Sequence, residues 1–212
     1  MTLFICCRCV LELHAIAEQR EKGLGRFEIA MTATEQRRFL LGLQSRLDAY
    51  LNMLGRINAE TSDCSRADDR RSIHEGIRCS VGFAKLSRMV FGVMEGWMKE
   101  QLQGQAAASA AAGDTTGNRQ WNLMLSLFYR VQGKFSEAIA ANNVSLDNIG
   151  DDCSSQVQSA LLNLATIHGE VGRHEEALKL KEKVLKMSRR ASPIDHRFLG
   201  EAFCCTCCCG FA

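Results

Sequence analysis

The cysteines are the side chains of this chain best suited to chemistry, and their placement limits what that chemistry is. Of 11 cysteines, Cys6, Cys7 and Cys9 sit near one end and Cys204, Cys205, Cys207, Cys208 and Cys209 near the other, with only Cys64, Cys79 and Cys153 between. A secreted disulfide scaffold spreads its cysteines to staple loops, so this distribution points to reduced thiols in a cytoplasmic setting. Zinc needs thiolates that converge on one ion, as a C-x-x-C pair allows, whereas the run Cys-Cys-Thr-Cys-Cys-Cys sets cysteines next to one another. Three readings of the terminal clusters stand: a metal site, S-acylated thiols that tether the chain to a membrane, or an end that does not continue the structure before it.

Other catalytic constellations are missing from the sequence. There is no G-x-x-x-x-G-K-[ST] loop and no G-x-G-x-x-G turn. His174-Glu175-Glu176 lacks the second histidine of a zinc-protease helix, and His14, His74, His168, His174 and His196 share no ligand spacing. The expectation is a non-enzymatic protein with no catalytic residues, no metal ligands and no cofactor.

Composition agrees. The 212 residues carry 26 basic and 24 acidic side chains, a formal charge of +2 that offers no electrostatic reason for a nucleic-acid partner. The run Lys179 to Arg190 is broken by Glu182 and by apolar Leu180, Val184, Leu185 and Met187, which reads as a solvated helix face. No apolar run reaches the roughly 20 residues of a membrane span. Leu3 to Leu13 is interrupted by Arg8 and Glu12 and makes a poor signal peptide. Gly92 and Gly96 form a G-x-x-x-G amid charged Arg88, Glu95 and Lys99, unsuited to a membrane dimer. One proline in the whole chain favours long helices over a turn-rich β protein.

Those helices are visible as stripes. Leu40, Leu43, Leu47, Tyr50, Leu54 and Ile57 step by 3 and 4, predicting a helix within 27–57. Polar Thr61 to Ser72 reads as a loop. Phe83, Leu86, Val90, Val93 and Trp97 form a second stripe, so an N-terminal helical hairpin is predicted, each stripe buried on the other. The alanine run after Gln105 extends the second helix, and Gly113 to Gly117 should end it. The expected organisation is an N-terminal region 1–112, a linker 113–117, a repeat region 118–203 and a Cys-rich tail 204–212.

The repeat region carries the strongest signal. A shift of 39 residues brings Gly133 onto Gly172, Lys134 onto Arg173, Glu137 onto Glu176, Ala138 onto Ala177, and Leu123, Leu125 and Phe128 onto Leu162, Leu164 and Ile167. In each unit the glycine can end a first helix in the left-handed conformation. Glutamates (Glu137; Glu175 and Glu176) then meet the positive end of a second helix, and a small alanine lets the pair approach closely. Such a unit cannot bury its apolar face alone and must stack on neighbours.

The stretches LSLFYRVQGKFSEAIAA and LNLATIHGEVGRHEEALKLKEKVL resemble tetratricopeptide repeats, and SRRASPIDHRFLGEA resembles the link of kinesin light chain-type repeats. The resemblance spans roughly 118–203. It implies an all-α fold of helical hairpins stacked as a short solenoid, with Asp195 capping a third unit that begins at 200–203. It also implies a protein-interaction module, an adaptor or scaffold holding a partner peptide on the concave face of the first helices, with a cargo or cytoskeletal motor link as the family suggests. In the family register that face comprises Gln120, Met124, Leu127 and Arg130 of the first unit and Ser159, Asn163, Thr166 and Glu170 of the second. Asn163 is the foremost candidate, because an amide can hydrogen-bond a peptide backbone as donor and acceptor. His168 stands where the family has a tyrosine and reads as a packing residue, and His174 replaces Phe135 at the turn.

The chain departs from the family at Arg197, where the link usually has proline, and at Ser126, where alanine or glycine is usual. Asn142 and Ser145 replace apolar residues of a second helix, which predicts looser packing of the first unit. Gly25-Arg26-Phe27 with Ala30 faintly echoes the repeat turn.

Overall fold

The computed structural model describes residues 28–190, except 57, 64, 65, 148, 150 and 151, together with six residues before position 20. Ile57, Cys64, the Gly25 turn, Pro193, the third unit at 195–203 and the cysteine clusters, apart from Cys9, lie outside the described residues. All regular structure among the described residues is helical: α1 (Ala33–Leu54), a 3-10 turn (Ala59–Thr61), α2 (Ala67–Cys79), α3 (Phe83–Ala111), α4 (Thr115–Val131), α5 (Phe135–Ser145), α6 (Ser155–Glu170) and α7 (His174–Arg190). By their contacts these divide into two compact units, one up to Gln101 and one from Leu102. None of the described helices is long and apolar enough to cross a membrane.

In the first unit the two stripes become α1 and α3. A capping box starts α1: Thr32 Oγ1 accepts from the Glu35 N–H, and Glu35 Oε2 accepts from the Thr32 N–H at 2.8 Å. The Thr32 backbone N–H, and after it the Thr32 hydroxyl donating to the same Oε2 at 2.8 Å, hold the Glu35 carboxyl below the usual glutamate range. Leu43, Leu47 and Leu54 of the first stripe are buried, and so are Leu86, Val90, Val93 and Trp97 of the second. Phe39 of α1 meets Trp97 of α3 with ring centroids 5.0 Å apart.

The stretch 61–72 is not a continuous loop. It contains the first turns of α2, whose Ile77 is buried with Leu86, Val90 and Ala59, while Ile73 and Phe83 pack against that cluster. A helix this short, opening with Ala-Asp-Asp-Arg-Arg, turns only a narrow apolar edge inward, so charge masked its periodicity.

In the second unit the repeat is realised as two helical hairpins, α4–α5 and α6–α7. Gly133 and Gly172 have φ of 70° and 79°, left-handed as the sequence requires. After each glycine the chain closes in the same way. Lys134 N–H bonds to Tyr129 C=O at 3.0 Å, and Arg173 N–H to His168 C=O at 2.8 Å, satisfying carbonyls that a helix end leaves open. Ala138 and Ala177 are buried at the close approach of each pair, and Phe128 and Ile167, equivalent by the repeat, are fully buried. Each hairpin packs internally, and α6 packs on both α4 and α5. Of the expected linker 113–117, Gly113 and Asp114 form the turn into α4 and 115–117 are its first helical residues: Gly113 takes φ of 68° and Asp114 Oδ1 accepts from the Gly117 N–H at 2.9 Å.

Candidate functional site

The expected binding residues lie on α4 and α6, the two neighbouring first helices. Position is set by the caps. Asp114 starts α4, and Ser154 Oγ accepts from the Val157 N–H to start α6. From these starts, steps of 3 and 4 carry Gln120, Met124, Leu127 and Arg130 along one helix, and Ser159, Asn163, Thr166 and Glu170 along the other.

The two ends of this face differ chemically. Towards the helix C-termini, Asn163 is buried, with only 5% of its surface accessible. Its Nδ2 donates to Ser126 Oγ at 2.8 Å and to Asn142 Oδ1 at 3.0 Å. Its Oδ1 accepts from Arg130 Nη1 at 2.8 Å. Both senses of the amide are therefore spent inside the molecule, and Asn163 does not present itself to a partner as the sequence suggested. It holds Arg130 in place instead. Arg130 is a quarter exposed, and its Nε stands 4.0 Å from Glu170 Oε1. Thr166 is exposed, with its hydroxyl donating to Leu162 C=O at 2.9 Å, and Leu127 is half-buried.

The network reaches further. Ser126 Oγ donates to Ala138 C=O at 2.8 Å, Asn142 Nδ2 to Ala160 C=O at 3.0 Å, and Ser145 Oγ to Asn142 C=O at 2.7 Å. Ser126, Asn142 and Ser145 are almost wholly buried, so the expected loosening of the first unit does not occur. Their polar atoms are satisfied within the first hairpin, at Ala138 and Asn142 C=O, and across the joint to the second, at Ala160 C=O and the Asn163 amide, where an unpaired one would cost about 1–3 kcal/mol. The repeat partners of Ser126 and Ser145 are apolar Ala165 and Val184, so this polar set belongs to the joint and not to the repeat itself.

Towards the helix N-termini the face opens into a cavity of about 120 Å³. Buried Leu123, Met124, Ser145 and Ala160 line it, with half-buried Arg119, Gln120, Gln156 and Ser159 and the exposed Ser155 around them. Among the described residues, the side chains of Gln120, Ser155, Gln156 and Ser159 make no hydrogen bond. Arg119 Nη1 donates to Asp152 Oδ2 at 2.7 Å. The Asp152 carboxyl is held below the usual aspartate range, first by the Ser154 backbone N–H and side chain and then by Arg119.

The structure thus brings Gln120, Met124 and Ser159 together at the cavity, and Arg130, Asn163 and Glu170 together at the other end. Sequence reasoning missed Arg119 and Gln156, whose only signal was nearness to helix starts, and missed that Ser126, Asn142 and Asn163 compensate one another. His168 is half-buried in α6, with Nδ1 enclosed and unpaired. No group of three or more His, Cys, Asp or Glu among the described residues is placed to hold a metal.

Residues 157–197 match the tetratricopeptide repeat family, a stretch that begins in α6, covers α7 and runs past the described residues. Searches of curated proteins and of solved structures return no match. With paired helices closed by the same glycine turn on either side of one joint, the match supports a tetratricopeptide-repeat protein.

Proposed function

We propose that the chain is a non-enzymatic adaptor or scaffold that holds an extended segment of a partner protein on the face made by α4 and α6. The carrying observation is the placement of two neighbouring first helices side by side, with an open cavity and uncommitted polar side chains between them. Repeats of this kind use the face lined by their first helices for binding. On this reading Leu127, Arg130, Thr166 and Glu170 contact the partner, Gln120, Met124 and Ser159 form its other end, and Asn163 acts through Arg130. Cytoplasmic partners of the cargo or adaptor kind, including a motor link, follow from the kinesin light chain-like resemblance. Affinity capture with the full chain tests it: Leu127→Arg with Thr166→Arg should remove a reproducible set of partners while circular dichroism and Tm stay at wild-type values. Retention of the same partners by that variant would refute the assigned face.

A further inference from the structure

Recognition on a helical face needs hydrogen-bonding groups not already used by the fold, beside an apolar surface still accessible to a ligand. The two ends of the α4–α6 face divide sharply on that criterion. At the Asn163 end the amide, both Ser126 roles and the Asn142 amide are consumed by internal bonds of 2.8–3.0 Å. At the cavity end, Gln120, Gln156 and Ser159 are uncommitted among the described residues, and Met124, Leu123 and Ala160 offer an apolar lining.

From this we infer that the 120 Å³ cavity is the anchor pocket of the proposed binding face, and that it takes one aliphatic side chain of an uncharged partner segment. The inference rests on the peptide-binding reading above and names its specificity. Size sets the class of side chain: an apolar cavity of about 150 Å³ accommodates benzene, so a somewhat smaller one suits a leucine, isoleucine or methionine better than an aromatic ring. Charge sets the neighbourhood. The cation at the mouth, Arg119, is paired with Asp152 at 2.7 Å, which removes the attraction for an acidic residue. The glutamines and the serine hydroxyl are both donors and acceptors, matching the alternating N–H and C=O groups of an extended backbone on either side of the anchor.

The test selects ligands for the full chain from a phage-displayed library of random linear peptides, followed by fluorescence titration of the selected sequences. Selected peptides are expected to share one aliphatic position. Its replacement by alanine should weaken binding to the wild-type chain by about tenfold or more, and should have little further effect on Ser159→Phe, in which the ring fills the pocket. Gln120→Ala and Gln156→Ala leave the pocket open and remove only hydrogen bonds, so each should cost about two- to tenfold in Kd. Peptides that lose affinity on Leu127→Arg with Thr166→Arg, yet share no aliphatic position and tolerate the pocket variants, would overturn the anchor pocket and leave the binding face intact. Failure to select any peptide, or peptides indifferent to every one of these substitutions, would overturn both.

Discussion

At the scale of single residues, Asn163 joins the two hairpins through contacts to Ser126, Asn142 and Arg130. Asn163→Ala should destabilise the second unit by about 2–3 kcal/mol in urea titration, because it strands buried partners as well as removing bonds. The exposed Thr166→Ala should stay within about 0.5 kcal/mol. Ser126→Ala and Asn163→Ala remove the same bond, so a double-mutant cycle should show coupling of about 1 kcal/mol; additive effects would mean that the network is not a unit. Asp152 adds a pH dependence. Its folded value is lowered, so its contribution is full above the usual aspartate value of about 3.9 and is lost as pH falls through the lowered one. The urea midpoint difference between wild type and Asp152→Asn should therefore be constant near neutral pH and shrink below roughly pH 4. A difference that grows on acidification would contradict the sign.

At the scale of elements, the repeat turns separate two kinds of glycine. Gly133 and Gly172 adopt φ of 70° and 79°, where a Cβ is strained whatever the surrounding space. Alanine at either should cost about 1–2 kcal/mol. Gly169 lies inside α6 with nothing within 4 Å of where a Cβ would stand, so Gly169→Ala should be neutral or stabilise by up to about 1 kcal/mol. Thermal melts of the three single variants check the contrast, and equal shifts would remove the special role of the turn. The turns were legible because a glycine has to stand at such a position and acidic residues suit the helix start that follows. α2 was not, because a short helix with four consecutive charges shows little period to a reader who cannot see Ala59 and Leu86 waiting for Ile77.

For the whole molecule, division into two compact units predicts that local damage stays local. Hydrogen exchange of Asn163→Ala should accelerate across α4 to α7 while α1 and α2 keep wild-type protection. Uniform acceleration would show that the units unfold together. The sequence by itself determined the helical class, the apolar stripes, the hairpin repeat and its glycine turns. All of these follow from local rules of spacing and backbone conformation that operate within some twenty residues. Only the tertiary structure decided which polar residues are available. Read singly, Asn163 is a peptide ligand, Asn142 a packing fault and Ser126 a departure from the usual alanine or glycine. Brought within 2.8–3.0 Å across the joint they satisfy one another, and the unspent hydrogen-bonding capacity of the face moves to Gln120, Gln156 and Ser159. A hydrogen bond between residues 21 or 37 positions apart has no local signature, and that distance is why the sequence named the two helices but not which of their polar side chains are already paired.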